Sequence, residues 1–541
     1  MLTEIPKWEE FDQNCCEIAQ PVDCGNERKR NMMARGFFLM ILFSVTVTLE
    51  VNAYNVLFVG AVGSKSHKNF YMAISEELSK NGHQVTLVTP FPSKGNKDNI
   101  REVVVPEGNV GKLNLNFFEE SFSPRLSSMS QYFKICDSSF GNKQVQDLSR
   151  EKFDIVFLSA FFCDCYLSLI YQLQVPFIYV SPMGLLSTTA EAIGNPPYPA
   201  FLNVPLLQYK HPFTFFQRTV NVLLESFGGL MFHDFIKKME DRCRNAGLCP
   251  ESIPPFEELQ RNVSLIILNS VRELELPSRP YVPGVVHAGG IHCRPAKPLP
   301  QDLQEWIEGA GDDGFIFFSL GSVVKSTDLP EENRQMLVKV FSSLKQRVLW
   351  KWDADSMPGL PPNVKIMKWL PQQDILGHPK LRLFMTHGGL FSTYESIYHG
   401  TPILGLPVFA DQLSNMREVE RQGWGKLILW NEMTEDLLLQ KMTTVMDNEQ
   451  VRQYVQMQSS IMKDQPMSPQ ETVVFWTEYV IRHNGAKHLR SPIADLPWYI
   501  IYNMDVWSMV VLIMLLVLWL GVRLLCTITK PCRRMFKNKT D

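Results

Sequence analysis

Short apolar runs with no polar alternation constrain this chain most. "YNVLFVGAV", "QVTLVTP", "FDIVFLSA" (153–160), "FIYVSP" (177–182) and "SLIILNS" (264–270) are apolar on both faces. A strand buried on both faces belongs to a parallel sheet covered by helices. The intervening segments have helical spacing, as with Phe70, Ile74 and Leu78 before the stop at Gly82. A Phe-rich, weakly periodic stretch, 183–249, interrupts this first set. It reads as acceptor-binding helices, a membrane-touching surface, or both. Residues 281–300 are dense in Pro and Gly and read as a linker. The pattern then restarts with "FIFFSLGS" (315–322), "RVLWKWD", "NVKIMKWL", "LRLFMTHGG", "ILGLPVF" and "GKLILWN". Two α/β domains of similar size follow, with a ligand cleft expected between them.

The ends differ from this body. "GFFLMILFSVTVTLEVNA" (36–53) follows Arg28, Lys29, Arg30 and Arg35 and closes on Val51, Asn52 and Ala53. That is the layout of a secretory signal peptide. A polar extension precedes it, and a start at Met32 or Met33 would give an ordinary signal; the other reading is a cytosolic tail with a signal anchor. Near the other end, "VWSMVVLIMLLVLWLGV" (506–522) follows Trp498, Tyr499, Tyr502 and Trp507 and precedes Lys530, Arg533, Arg534, Lys537 and Lys539. An aromatic belt, a span and a basic flank predict a type I anchor with a cytosolic tail. The closing "KNKTD" resembles a dilysine retrieval signal of the endoplasmic reticulum. The expected organisation is an extension and signal at 1–53, domains at 54–285 and 286–497, a membrane segment at 498–526 and a tail at 527–541.

The charge balance, 53 basic against 56 acidic residues, gives no excess for nucleic acid. Six of the 11 cysteines fall in the lumenal part (Cys136, Cys163, Cys165, Cys243, Cys249 and Cys293), too few in so long a chain for a disulfide scaffold. Asn262-Val263-Ser264 is a glycosylation sequon on the lumenal side; Asn538-Lys539-Thr540 matches as well but is expected to face the cytosol.

The chemistry concentrates in 369–412, "WLPQQDILGHPKLRLFMTHGGLFSTYESIYHGTPILGLPVFADQ". A strand, a glycine turn and a helix start, with Ser392 as N-cap and Glu395 at capping-box spacing, present backbone N–H groups to a phosphate. A plain β–α connection has the same local pattern. The order of residues across the segment resembles the signature of the UDP-glycosyltransferase family, especially its membrane-bound animal enzymes. "GHQVTLVTP", "NVSLIILNS", "FFSLGSVV", "GAKHLR" and "DLPWYIIYNMDV" extend the resemblance over nearly all the mature chain.

The resemblance implies a GT-B fold, with two facing Rossmann-like domains plus one C-terminal transmembrane helix. The first domain binds an acceptor and the second a UDP-sugar, which enters as co-substrate; no further cofactor is implied. By position, Trp369 stacks on uracil and Gln372 holds the nucleoside. Glu395 accepts the ribose hydroxyls. His387, Gly388, Gly389, Ser392 and Ser322 cradle the diphosphate, and Asp411 and Gln412 contact the sugar. Phe391 departs from the Asn of many relatives. His67, in the loop after the first strand, matches the catalytic base, a task suited to histidine. The aspartate that usually orients this base is replaced by Ser159, and Asp164 is the candidate substitute. No DxD-like cluster calls for a metal. The implied reaction is inverting transfer of a hexose, glucose first, to a hydroxyl of a small lipophilic acceptor. The alternatives are a catalytically weak binder of UDP-sugar or lipophiles that serves as a partner subunit, and, ranked below it, a sugar-nucleotide epimerase on the same fold. Association with another copy or a related chain is left open.

Overall fold

The computed structural model describes residues 53–112, 118, 129–204, 207 and 209–537. The expected signal peptide (up to residue 52) and the end of the lysine tail (538–541) lie outside the described residues.

Two parallel sheets carry the body. The first has β1 (Asn55–Val59), β2 (Gln84–Thr89), β3 (Ile100–Val104), β4 (Ile155–Ser159), β5 (Phe177–Ser181), β6 (Leu265–Leu268) and β7 (Val285–His287), in the order β3-β2-β1-β4-β5-β6-β7. The second has β8 (Phe315–Ser319), β9 (Arg347–Lys351), β10 (Val364–Met367), β11 (Leu381–Thr386), β12 (Ile403–Gly405) and β13 (Gly425–Leu427), in the order β10-β9-β8-β11-β12-β13. Each sheet therefore reverses direction once, between β1 and β4 and between β8 and β11. Beyond the strand C-termini at such a reversal a crevice opens, and ligands bind there.

The two sheets share a central device. Phe58 and Phe157 are register partners on β1 and β4 and stack at 5.2 Å. Phe317 and Phe384 do the same on β8 and β11 at 5.0 Å. All four are buried, and burial of a side chain this size contributes about 1.5–3 kcal/mol. Rigid central strands fix the loops that leave their ends.

The helices that matter for the site are α1 (Lys65–Lys80), α2 (Ser187–Ile193), α3 (Phe215–Asn245), α4 (Phe256–Gln260), α5 (Gln372–Leu376), α6 (Leu390–His399), α7 (Gln412–Gln422), α8 (Pro469–Arg482) and α9 (Met504–Lys537). Helix α8 begins with a capping box between Ser468 and Glu471 and sends Val473 and Val480 into the core of the first lobe. Helix α9 holds a 24-residue apolar stretch, Met504–Thr527, with none of its most apolar part buried against the body. At 1.5 Å per residue it is about 36 Å long, enough for a hydrocarbon core of about 30 Å.

Two readings change. Strand β7 lies inside the segment read as a linker, so the boundary at 285/286 cuts a strand of the first sheet and the crossover starts after His287. Strand β3 was not read at all. Of the six cysteines between residues 136 and 293, four form two bridges, Cys136–Cys165 and Cys243–Cys249, while Cys163 and Cys293 stay free and buried.

Candidate active site

On the second lobe, β11 ends at Thr386 and His387-Gly388-Gly389 makes the turn into α6. Gly388 has φ +82°, and a Cβ there would lie 2.3 Å from Met416 Cγ, so only glycine fits. The Asn415 amide on α7 donates to the Gly388 carbonyl (3.0 Å), tying α7 to the turn. Gly389, in extended conformation, is the N-cap, so Ser392 is the third residue of α6 and not its cap. Gly389 has no side chain to cap the first turn, so its N–H groups keep their capacity for an anion.

The expected Ser392–Glu395 capping box does not form; the two residues are linked through Gln372 instead. Three residues apart, the two share one helix face. Gln372 Nε2 donates to both Ser392 Oγ (3.0 Å) and Glu395 Oε2 (2.5 Å). Gln373 Nε2 donates to Glu395 Oε1 (3.2 Å) and to the His292 carbonyl (3.0 Å). Burial raises the Glu395 carboxyl to about 7. It drives the neighbouring His292 imidazole, 4.0 Å away, down to about 4.

Around this node stand the other donor-side candidates. Trp369 is 61% exposed, with Lys65 Nζ of the first lobe 5.3 Å from its ring centroid. It is an open aromatic face, not a core residue. Exposed Ser322 follows β8 and Gly321. The His387 ring leaves no space for a Cβ at Gly321 (2.5 Å from Cε1) or at Gly389 (2.7 Å from Nε2), and burial pushes its imidazole down to about 4. Asp411 is exposed, accepts from Asn415 Nδ2 (2.7 Å) and follows Ala410 at φ +55°. Gln412 is buried, and its Oε1 accepts from the Val408 (2.8 Å) and Phe409 (3.0 Å) amides.

On the first lobe, His67 lies in the first turn of α1 and not in the preceding loop; Ser64 is the N-cap and accepts from the His67 amide (3.5 Å). Gly63 gives the ring room, since a Cβ there would fall 2.8 Å from Nδ1. The ring meets Phe161 edge-on at 4.6 Å and lies 6.1 Å from Phe391 of the second lobe. Phe391 also approaches Phe70 (6.2 Å) and His292 (5.0 Å) and packs on the core of the first lobe. As the second residue of α6, it brings His67 to the seam between the lobes, beside the glycine-turn helix.

The Asp164 reading is corrected. Asp164 Oδ1 accepts from Tyr179 OH (2.8 Å) and Gln260 Nε2 (2.9 Å), and the carboxyl is buried among them. His67 Nδ1 is buried with no hydrogen-bond partner among the described residues. Phe162, at φ +52°, turns the chain between Ser159 and Asp164. Ser159, at the position expected for the aspartate, has its hydroxyl engaged with Tyr71 OH (2.6 Å) and the Phe161 amide (3.1 Å). Burial without a partner pushes the His67 imidazole down to about 4. Asn262 is exposed on the turn before β6.

Residues 64–540 match the family model described as UDP-glucoronosyl and UDP-glucosyl transferase. The chain belongs to this family. It is 31% identical to UDP-glycosyltransferase UGT5 of Dactylopius coccus, over 93% of this chain and 97% of that protein. It is 32% identical to UDP-glucuronosyltransferase 2C1 of Oryctolagus cuniculus, over 82% and 92%. Among solved structures, it resembles the calicheamicin glycosyltransferase CalG4 (TM-score 0.55, 16% identity, 80% of this chain and 99% of that one). It also resembles a UDP-glucosyltransferase from Polygonum tinctorium (TM-score 0.54, 15% identity, 80% and 99%). This UDP-glycosyltransferase has the GT-B fold and transfers sugar from a UDP donor. Its apolar C-terminal helix fits a single-pass anchor. Sequence reasoning missed Gln373, Asn415 and His292. "QQ" after Trp369 and "GGIHC" in the supposed linker were visible, but nothing in them pointed to Glu395.

Proposed function

We propose that the enzyme inverts configuration, moving glucose from UDP-glucose to an acidic hydroxyl of a small lipophilic acceptor. The observation that carries this reading is the seam contact: a first-lobe imidazole, His67, stands beside the start of the second-lobe helix α6. His67 takes the acceptor's proton, the acceptor oxygen attacks the anomeric carbon from the face opposite the leaving group, and a β-glycoside forms. Uracil stacks on Trp369, and the ribose hydroxyls replace Gln372 and Gln373 on Glu395. His387, Gly388, Gly389, Ser392 and Ser322 surround the diphosphate. Charge on the departing UDP meets the α6 N-terminus in place of a metal ion. Asp411 and the Gln412 amide suit hexose hydroxyls, and Asp411 would repel a uronate carboxylate, so glucose is preferred over glucuronate.

The acceptor class follows from the base. An unpaired imidazole held down at about 4 is neutral at physiological pH but has little affinity for a proton. Phenols and other acidic hydroxyls need least help and should react best. Two disulfides fit an oxidising lumen, and the exposed sequon at Asn262 would be glycosylated there. Together with the lysine tail, they support a type I protein of the endoplasmic reticulum membrane.

Ser159 and Phe391 favour one other reading, a donor-binding partner subunit without turnover. Membranes carrying the full chain, given UDP-glucose or UDP-glucuronate with a panel of phenols and alcohols, distinguish the two. Phenol glucosides formed in excess of alkyl glucosides support the proposal. UDP binding without product for any acceptor supports the partner subunit.

A further inference from the structure

We propose that the first half of α3 lies in the bilayer interface beside α9, so that the enzyme meets the membrane at two places. The inference adds to the anchor reading and takes from it only the presence of a bilayer. Phe215 (78% exposed), Phe216 (73%), Leu223 (64%), Phe227 (60%) and Leu230 (70%) all stand in the open. Phe216, Leu223 and Leu230 recur every seven residues with Phe227 between them, so they form one stripe.

The polarity of this half is inverted, and its register is fixed. The residue it buries is Asn221, whose amide donates to the Pro199 (2.7 Å) and Leu202 (2.5 Å) carbonyls and whose Oδ1 accepts from the Val204 amide (2.9 Å). Rotating the helix to hide the phenylalanines would break all three bonds. In the second half the pattern is ordinary. Phe235, Ile236 and Met239 pack on the core, and Asp234, Lys237 and Lys238 are exposed. A helix apolar outside in one half and charged outside in the other suits a segment that enters an interface and leaves it.

Neighbouring elements identify the surface that covers the stripe. Glu225, level with it, accepts from Ser187 on α2 (3.0 Å). Helix α2 packs on residues 492–495, which lead through Trp498 and Tyr499 to the anchor. Trp498 (66% exposed) and Tyr499 (45%) form the aromatic collar where α9 enters lipid. The stripe thus continues the anchor's own membrane face, and lipid is favoured over a second copy of the chain.

The test uses the full chain in phosphatidylcholine vesicles, with a fluorescent amino acid placed at Leu223, Lys238 or Met514 in turn and Phe227 as a second stripe position. Docking predicts that the Leu223 and Phe227 probes lose about half their emission to lipids with a shallow nitroxide and resist aqueous iodide, while the Lys238 probe does the reverse. A Leu223 probe open to iodide and untouched by lipid nitroxide would overturn the inference. So would one shielded from both, which would mean that protein covers the face. Met514 reports the anchor separately. If lipids with a deep nitroxide fail to quench it while Leu223 is quenched, the anchor fails and the docking stands; the reverse pattern rejects the docking alone.

Discussion

Glu395, buried, and His67, half-buried, are titratable side chains on opposite lobes of one seam, and the fold treats them differently. The Glu395 carboxylate is held by Gln372 and Gln373, with Ser392 on the same amide. His67 Nδ1, in contrast, has no hydrogen-bond partner among the described residues, and its ring packs near Phe161 and Phe391. On the donor side the two amides hold the carboxylate where the ribose hydroxyls are proposed to replace them. If His67 is the base, as proposed, no group among the described residues orients or charge-stabilises it, and this would narrow the acceptors it can activate.

The largest effect that would break this contrast is at His67. His67→Ala is expected to lower kcat toward an alkyl alcohol by at least about a hundredfold, the scale of a positioned base. UDP affinity, measured by calorimetry, should stay within about twofold, because the donor node lies on the other lobe. Next is Glu395→Ala, which removes the proposed acceptor of the ribose hydroxyls. A loss of about 2 kcal/mol in UDP binding, near thirtyfold, is expected from the same titration. Undiminished affinity would remove Glu395 from the donor site.

A smaller change would sharpen the comparison. Ser159→Asp puts a carboxylate at the position where the family resemblance expects one. It is expected to raise kcat for an alkyl alcohol about tenfold and to move the acid limb of kcat at saturating donor from near 4 toward 6.5. An unchanged limb would mean that Tyr71 keeps this position for itself.

The smallest effect is the pH dependence of donor binding. The Glu395 carboxyl is raised from 4.5 to about 7, so its contribution to stability is present below pH 4.5 and lost as pH rises through 7. Ribose hydroxyls donate to the ionised form, so UDP affinity should run the other way, weakening up to about tenfold between pH 8 and pH 6. Proton release on binding, seen as a buffer-dependent heat, would confirm the sign; a pH-independent affinity would refute it.

The legible parts of the molecule are those whose signal is contiguous. Strands such as β4 and β8 were visible because both faces are buried and every position is apolar. Strand β3 was not, because it is an edge strand carrying Arg101 and Glu102, which pair with Glu151 and Lys68. Strand β7 was masked by the Pro and Gly around it. On the donor side, His387 to Glu395 lie in one segment, and family order assigned them together. Gln373 and His292 reach Glu395 only through the fold, from positions 22 residues away in the first case and across the crossover segment in the second. Asp164 was misread because five residues of sequence cannot reveal the turn at Phe162 that separates it from Ser159.

The central claim is that one unassisted imidazole removes the acceptor's proton. Its most direct test is the rate of glucoside formation by wild type and His67→Ala across acceptors of rising acidity, from an alkyl alcohol to a nitrophenol, at saturating UDP-glucose. The account predicts a deficit of about a hundredfold for the alcohol that shrinks steadily as the acceptor ionises more readily. A deficit of the same size for every acceptor, or none for the alcohol, would contradict it.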